Sequence, residues 1–277
     1  MQKFFAQIAS EQNRKRSHLC VGLDPLPGKM PVLLNGQSED VLSFLKNIVD
    51  STQDLVCCFK PQFAHFAAQG LESELQALIL YIKKTYPEIP VILDSKRGDI
   101  GSTAQMYALE AFSRYGADAV TVNPYMGGDT IEPFSEYQNK GIFILCRTSN
   151  LGAGEFQNLK PTGSQHKLYF HVAIKALGEW NRQDNIGLVV GATAIEELRE
   201  LRSHFPEAWF LIPGVGAQGG DLDAVLKWGC QSLGSGGGIV NSSRSILYAS
   251  AKSDYADVAR NKAQEMQQKM ATLFKNT

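Results

Sequence analysis

Short apolar runs alternate with longer helical patterns along the whole chain, and this alternation limits the folds that the chain can adopt. The apolar runs are partly β-branched, which is typical of strands buried on both faces. The eight predicted strands are His18–Asp24, Leu55–Pro61, Val91–Lys96, Asp118–Pro124, Gly141–Thr148, Ile186–Ala192, Trp209–Val215 and Cys230–Gly236. The helical patterns lie near 38–52, 71–86, 101–115, 130–139, 164–182, 193–203, 220–228 and 252–274.

Strand–helix units in this number, without linker-like composition, predict one α/β domain over residues 1–277, folded as a single (β/α)8 TIM barrel. A doubly wound open sheet is the alternative, because alternation alone does not show that the sheet closes. In a barrel, polar side chains at the carboxyl ends of the strands build the active site. The polar residues at such ends are Asp24, Lys60, Asp94, Lys96, Asn123, Arg147 and Thr148.

The composition argues against nucleic-acid and membrane partners. The formal net charge is −1, which gives no general attraction to polyanions. No apolar run approaches the roughly 18 residues that a membrane span needs. The five cysteines are odd in number and lack metal-ligand spacing, so we expect buried free thiols and a reducing, cytoplasmic setting.

The segment "VILDSKRGDI" places charges where an apolar strand ends. Asp94 and Lys96 lie two residues apart, and so on one face of a strand. Lys60 ends the second predicted strand, and Asp99 follows in the next turn. An isolated Asp–Lys pair would be an ordinary salt bridge. Four alternating charges favour a catalytic role, because the cost of desolvating ions often offsets their mutual attraction.

Two glycine-rich segments predict a phosphate site. Pro213–Asp221 ("PGVGAQGGD") follows the seventh predicted strand, and Ser235–Ser245 ("SGGGIVNSSRS") follows the eighth. Glycines let backbone N–H groups approach an anion closely, and barrel phosphate sites are commonly built from these two loops. Arg244 adds a planar, two-pronged donor for phosphate oxygens.

These segments together resemble one enzyme family. "LDSKRGDIGST" is similar to the D-x-K-x-x-D-I-x-x-T signature of orotidine 5'-phosphate decarboxylase, and "FKPQFAHF", "NPYMGGDTIEPF", "CRTSN" and "PGVGAQGGD" resemble its bacterial second subfamily, type 2. The resemblance covers nearly the whole chain. It implies a TIM barrel that decarboxylates orotidine 5'-phosphate to uridine 5'-phosphate, the last step of pyrimidine nucleotide (UMP) synthesis, with no metal or other cofactor.

The same resemblance implies roles for individual residues. Lys96 would donate the proton to C6 of the pyrimidine, Asp94 would face the departing carboxylate, and Lys60 would hold the charge network and contact the ribose. Asp99 would reach into the partner's site in a homodimer with shared active sites. The residues implied for substrate binding are Asp24 (ribose hydroxyl), Thr103 (beside Asp99), Ser149 (pyrimidine edge), and Gln218 with Arg244 (phosphate).

Two other functions stay open at this point. Related barrels with the D-x-K-x-x-D pattern act on keto-sugar phosphates as magnesium-dependent decarboxylases or aldolases, but they resemble one another in an acidic residue near the position of Lys60. A non-catalytic nucleotide-binding module could retain the phosphate loops, although the complete set of four charges argues against it. Activity in the presence of a chelator would separate the first of these alternatives from the proposed decarboxylase.

Overall fold

Eight parallel strands form a ring in the computed structural model, which describes residues 3–31, 38–216, 219–230 and 237–273. The strands are β1 Leu19–Leu23, β2 Cys58–Pro61, β3 Ile92–Arg97, β4 Ala119–Val122, β5 Gly141–Arg147, β6 Ile186–Val190, β7 Trp209–Pro213 and β8 Gly237–Ser242. They pair in the order β2-β1-β8-β7-β6-β5-β4-β3, and two parallel bridges, Phe59–Val91 and Gln62–Asp94, bring β2 against β3. The predicted TIM barrel is confirmed, and the open sheet is excluded.

Helices surround the strands, as the alternation predicts. The α-helices are α1 Phe4–Lys15, α2 Ser38–Thr52, α3 Phe63–Ala67, α4 Glu72–Thr85, α5 Gly101–Leu109, α6 Glu132–Ser135, α7 Ala153–Gln157, α8 Leu168–Leu177, α9 Ile195–His204, α10 Leu222–Gly229, α11 Arg244–Leu247 and α12 Tyr255–Ala271. A π-helical turn, Glu110–Arg114, extends α5. Within the four described ranges, no helix is both long enough and apolar enough to cross a membrane.

Strand periodicity sorts the apolar side chains into two layers. Alternate residues of a strand face opposite sides, so Ile144 of β5 joins the outer cluster beneath the helices, whereas Phe143 joins the inner one. The inner cluster takes a residue from every strand, namely Cys20, Cys58, Ile92, Ala119, Phe143, Val189, Leu211 and Ile239. Residues two positions further along the same strands, including Lys60, Asp94 and Thr121, face the interior nearer the carboxyl ends.

Helix α1 closes the amino end of the barrel. Its Phe4 and Ile8 are buried in the inner cluster, and Phe4 lies so close to β5 that a Cβ at Gly141 would be 2.3 Å from its ring. Gln12 donates a hydrogen bond of 2.9 Å to the carbonyl of Gly238. Packing of α1 therefore covers the inner apolar layer at this end of the barrel.

The predicted position of the eighth strand is wrong. The eighth strand is Gly237–Ser242, and residues 231–236 of the predicted strand lie outside the described residues. Most of the glycine-rich segment Ser235–Ser245 is therefore strand and not a loop after it. Glycine serves close packing here, because a Cβ at Gly237 would lie 2.7 Å from the ring of Trp209. The sequence pattern did not distinguish a glycine that packs from a glycine that turns.

Candidate active site

A cavity of about 540 Å³ opens at the carboxyl end of the barrel. Leu145 of β5 and Val189 of β6 give it an apolar portion, and polar side chains from strand ends and the following loops line the rest. Strand period explains the placement, since these residues follow the inner apolar layer on the same faces. Most residues predicted for the site line this cavity, namely Asp24, Lys60, Asp94, Lys96, Ser149 and Arg244.

Asp94 lies between two ammonium groups at the wall of the cavity. Its Oδ2 accepts a hydrogen bond of 2.8 Å from Lys60 Nζ, and its Oδ1 accepts one of 2.6 Å from Lys96 Nζ. Lys60 and Asp94 are buried, whereas the Lys96 side chain is 44% exposed. The structure thus brings together three of the four predicted charges, and one cation of the three faces the open cavity.

The charges in this row stabilise one another. Burial acts to raise the pKa of Asp94, but the positive charges of Lys60 and Lys96 outweigh burial and hold that pKa well below its ordinary value. Burial acts to lower the pKa of Lys60, but the carboxylates of Asp94 and Asp24 raise it above its ordinary value. At neutral pH Asp94 is therefore ionised and Lys60 is protonated.

Asp94 is not placed as a metal ligand. Both of its oxygens already bind ammonium groups, and these like charges repel a divalent cation. Across the parts of the chain that the structure describes, no group of three or more His, Cys, Asp or Glu side chains is arranged to hold a metal ion.

The backbone of β3 is irregular where Lys96 leaves it. Leu93 pairs with Val120 of β4 and Arg97 pairs with Val122, so four residue steps along β3 correspond to two along β4. This mismatch is a β-bulge. Lys96 has a φ of 48°, in the left-handed region that residues with a Cβ rarely adopt. Bulges and strained residues of this kind concentrate at functional sites, where they re-aim a side chain. Here the strained residue carries the ammonium group that contacts Asp94.

Thr121 of β4 is a site residue that the sequence analysis missed. Its hydroxyl donates to Asp94 Oδ1 at 2.8 Å and accepts from the backbone N–H groups of Lys96 at 2.9 Å and Ser95 at 3.1 Å. The available signal was one polar residue in the otherwise apolar strand sequence AVTV. Threonine is common in strands because of its β-branched shape, so its residue type alone did not mark it.

Asp24 follows β1 and carries an unused acceptor. Its Oδ2 accepts a hydrogen bond of 2.7 Å from the Ser243 hydroxyl. Its Oδ1 is buried and finds no hydrogen-bond partner among the described residues. A buried acceptor without a partner is destabilising, so this oxygen is suited to receive a hydroxyl group of a ligand.

The loop after β5 is ordered by its own polar side chains. Gln157 of α7 accepts a hydrogen bond of 2.9 Å from the Thr148 N–H and donates one of 2.8 Å to its hydroxyl. Thr148 in turn donates to Asn150 at 2.7 Å. Ser149 packs against Gly191, the residue after β6, where a Cβ would lie 2.8 Å from the Ser149 Cα. All four polar residues line the cavity, and sequence analysis had not identified Asn150 or Gln157.

The predicted phosphate residues are placed in part. Arg244 begins α11 and is exposed at the rim of the cavity. The loop after β7 turns through Gly214 and Gly216, whose φ values of 102° and 85° favour glycine, and the Gly220 N–H closes the turn on the Gly214 carbonyl at 3.1 Å. Gln218 lies outside the described residues.

Asp99 and Thr103 do not line the cavity of their own chain. The Oδ1 of Asp99 accepts a hydrogen bond of 2.8 Å from the Ile100 N–H, and Thr103 is exposed on α5. Both therefore lie on the outer surface beside β3, and their proposed role needs a second chain.

Two other polar residues at strand ends, Asn123 and Arg147, do not line the cavity either. The Asn123 side chain accepts from the Tyr125 N–H at 3.0 Å and so orders its own turn. Arg147 forms a salt bridge of 3.2 Å with Glu197 of α9, after a register shift in β5. Asn123 and Arg147 therefore do not contribute to this cavity, and for Arg147 the register shift explains why strand counting gives the wrong face.

Comparison with known proteins identifies relatives over nearly the whole chain. The family model described as "Orotidine 5'-phosphate decarboxylase / HUMPS family" matches residues 17–258. The orotidine 5'-phosphate decarboxylase of Ralstonia pickettii (strain 12J) is 51% identical over 261 residues, which cover 94% of this chain and 95% of the relative. That of Cupriavidus necator is 52% identical over 260 residues, which cover 94% of each.

Solved structures give the same result. A putative orotidine-monophosphate-decarboxylase from Toxoplasma gondii has a TM-score of 0.85 and 35% identity, with 98% of this chain and 99% of that chain covered. A UMP synthase from Leishmania donovani has a TM-score of 0.86 and 37% identity, with 99% of this chain covered. The present chain spans 57% of the length of that synthase.

Proposed function

The chain belongs to the orotidine 5'-phosphate decarboxylase / HUMPS family, and from that membership we propose that it is a carboxy-lyase converting orotidine 5'-phosphate to uridine 5'-phosphate, the last step of UMP synthesis. The observation that carries the proposal is the row Lys60–Asp94–Lys96, which ends in a half-exposed cation at the cavity. Identity of 51% to relatives named for this reaction supports it.

The chemistry requires a fixed cation beside the reacting carbon. When carbon dioxide leaves, the bond from C6 to the carboxyl carbon breaks and its electron pair stays in the ring plane, where the π system cannot delocalise it. Preorganised charge aimed at such a developing anion is usually the largest catalytic contribution. We assign this role to Lys96, which then donates a proton to C6 as the general acid and regains one from solvent. The mechanism requires no cofactor.

Asp94 and Lys60 hold that cation in place. Asp94 binds Lys96 through Oδ1 and Lys60 through Oδ2, so the Lys96 ammonium is oriented before the substrate arrives. Asp94 would also face the departing carboxylate, and Lys60 would contact the ribose. Orientation of Lys96 is the stronger contribution, because ground-state repulsion is contested as a source of catalysis.

The remaining contacts bind the nucleotide away from C6. We assign the free Oδ1 of Asp24 to a ribose hydroxyl, Ser149 to the pyrimidine edge, and Gln218 with Arg244 to the phosphate. Contacts remote from the reacting carbon lower the barrier by fixing the substrate in a reactive position. The half-buried Ser149 and the exposed Arg244 both line the cavity, which supports their assignment.

We further propose a homodimer in which Asp99 and Thr103 of one chain complete the site of the other. The surface beside them is apolar: Ile100, Met106 and Tyr125 are 60%, 58% and 88% exposed. Exposed apolar groups clustered in this way mark interaction surfaces. A two-fold interface brings the same patch of each chain together, so it would cover this surface and carry Asp99 toward the partner's cavity.

Mixing two inactive variants tests the shared site. An equal mixture of Lys96→Ala and Asp99→Ala chains forms heterodimers with one intact site, and about a quarter of the wild-type sites are restored when chains exchange freely. A matched control mixes Lys96→Ala with Asp94→Asn, which restores no intact site because both residues act in their own chain. Equal activity from the two mixtures, after exchange has been verified by mass, would contradict the shared site.

The decarboxylase itself is tested by the loss of orotate-ring absorbance when purified protein is mixed with orotidine 5'-phosphate and a chelator. We expect turnover by the wild type and none above background by Lys96→Ala. A strict magnesium requirement, or turnover of a keto-sugar phosphate in place of the nucleotide, would favour the related sugar-phosphate enzymes. Unchanged turnover by Lys96→Ala would make the charge row structural.

We also infer that the enzyme acts in the cytoplasm. All five cysteines are free and buried, which is typical of proteins from reducing compartments. Cell fractionation should recover the decarboxylase activity with cytoplasmic markers, and recovery with an oxidising compartment would contradict the assignment.

A further inference from the structure

We propose that Thr121 is a positioning residue for the reaction, and that its hydroxyl holds Asp94 and the strained backbone of Lys96 in their working geometry. The inference rests on the proposed decarboxylase function and adds to it a residue on the neighbouring strand. Thr121 does not line the cavity, so it acts through Asp94 and Lys96 and not by touching substrate.

The hydroxyl of Thr121 uses its full hydrogen-bonding capacity. A threonine hydroxyl has one donor and two acceptor lone pairs. The N–H groups of Ser95 and Lys96 donate to it at 3.1 Å and 2.9 Å, which occupies both lone pairs. The O–H is then directed to Asp94 Oδ1 at 2.8 Å. Each of the three bonds fixes a different atom of the segment that carries the charge row.

The two N–H groups need this acceptor because of the bulge. Between Leu93 and Arg97 the regular pairing of β3 with β4 is interrupted, and no residue of β4 is paired with Ser95 or Lys96. Buried backbone donors without partners are rare in native proteins. The oxygen of Thr121, a residue that is 1% exposed, is the partner of both N–H groups and stabilises the left-handed backbone at Lys96.

The third bond fixes the carboxylate. Asp94 Oδ1 accepts from both Thr121 and Lys96 Nζ, whereas Oδ2 accepts from Lys60 Nζ. The terminal torsion of an aspartate is broad and has no sharp staggered minimum, so the direction of its oxygens is set by such partners. Without the hydroxyl, Oδ1 would keep one partner fewer, and the position of the Lys96 ammonium would be less well defined.

Two substitutions at one position separate the hydroxyl from the packing. Thr121→Val keeps the branched shape and removes all three bonds, whereas Thr121→Ser keeps the hydroxyl. We expect Thr121→Val to reduce kcat by about 100-fold, the cost of a small misplacement of a catalytic group, with KM nearly unchanged because nucleotide contacts remain. Thr121→Ser should retain kcat within a few-fold of the wild type.

Thr52→Val is the matched control. Thr52 is also fully buried, and its hydroxyl donates at 2.7 Å to the Ile48 carbonyl on α2, far from the cavity. This variant should lose thermal stability without losing kcat. If Thr121→Val does not fold, Thr121→Ala replaces it in the comparison with Thr121→Ser. Thr121→Ala should then have a reduced kcat, whereas Thr121→Ser should not.

Equal kcat for the valine, serine and wild-type proteins would overturn the proposal, as would equal losses in valine and serine. Failure of the wild type to decarboxylate orotidine 5'-phosphate would instead refute the proposed function. Crystal structures then decide the positioning role separately: we expect a changed Lys96 φ and a changed contact from Asp94 to Lys96 in Thr121→Val, and neither change in Thr121→Ser.

Discussion

Two charge clusters of similar composition lie at opposite ends of the barrel. At the carboxyl end, Asp94 binds Lys60 at 2.8 Å and Lys96 at 2.6 Å. At the amino end, Glu11 of α1 binds Arg14 at 2.7 Å and Lys15 at 2.9 Å. Each cluster has one buried carboxylate between two cations, yet we assign catalysis to the first and stability to the second.

The difference lies in what each lysine has left to bind. Lys15 donates to Glu11 and also to the carbonyls of Gln53 at 2.6 Å and Val56 at 2.8 Å, which occupies all three of its N–H donors. Lys96 donates to Asp94, and among the described residues no other acceptor bonds its ammonium group. Its side chain is 44% exposed, against 3% for Lys15.

Burial and hydrogen bonding shift the pKa values of the two groups at the amino end. Burial lowers the pKa of Lys15, and the bond and charge of Glu11 restore it only in part. Burial acts to raise the pKa of Glu11, but its bonds to Arg14 and Lys15 bring it below the ordinary value. A buried ion pair is therefore a candidate for catalysis when its cation keeps unsatisfied N–H donors that face a cavity.

The largest expected effect is the loss of activity when Lys96 is replaced, with Lys15 as the matched lysine at the other end of the barrel. Lys96→Met should lower kcat/KM by about 10⁴-fold, because it removes both the fixed charge and the general acid. Lys15→Met should leave kcat/KM unchanged and lower the melting temperature, because two buried carbonyls lose their donor. Steady-state kinetics and thermal unfolding on both variants check this. A large loss of activity in folded Lys15→Met protein would contradict the assignment of the amino-end cluster to stability.

The next effect concerns the carboxylate at the amino end. Glu11→Gln should lower the free energy of unfolding by about 3 kcal/mol, since the buried Lys15 ammonium loses its counter-charge. Asp94→Asn should instead show its main effect on kcat. Denaturant unfolding measures the first and kinetics the second. Loss of stability without loss of activity in Asp94→Asn would contradict the assignment of that cluster to catalysis.

The sequence predicted the carboxyl-end cluster better than the amino-end one. Lys60, Asp94 and Lys96 stand out because charges interrupt apolar strands, and a barrel fixes where strand ends meet. Glu11 and Lys15 lie in a helix with many polar residues, where a buried pair cannot be distinguished from a solvated one. Thr121 was missed because its role depends on a bulge in another strand, which no local pattern in β4 reveals.

A smaller effect is expected from pH, again at the amino end. His18 precedes β1, and burial lowers the pKa of His18 to about 4 from an ordinary 6.5. The unfolded chain therefore binds a proton below pH 6.5 that the folded chain does not, so stability is full above that pH and is lost as pH falls toward 4. The wild type should lose about 3 kcal/mol more than His18→Gln over this range.

Unfolding free energies of both proteins at pH 7 and pH 4.5 test this pH dependence. The other titrating groups are common to the two proteins, so the difference isolates His18. If the unfolding free energies of wild type and His18→Gln changed equally with pH, His18 would be protonated in the folded protein. That result would contradict the claim that burial keeps it neutral.

The smallest effect is expected from an exposed pair that neither end of the barrel buries. Arg260 of α12 binds Asp54 through two bonds of 2.7 Å, but the two side chains are 39% and 45% exposed. Water screens such a pair, so Asp54→Asn should cost about 0.5 kcal/mol in the free energy of unfolding. If Asp54→Asn lowered the free energy of unfolding as much as Glu11→Gln, burial would not explain why the two ion pairs differ in strength.

The most direct test of the central claim is a crystal structure of the protein with uridine 5'-phosphate bound. We expect Lys96 Nζ to lie within about 3.5 Å of C6, while Asp94 keeps its contacts to Lys60 and Lys96. If the Lys96 ammonium group turned away into solvent, or if C6 lay beside a different cation, Lys96 would not be the proton donor.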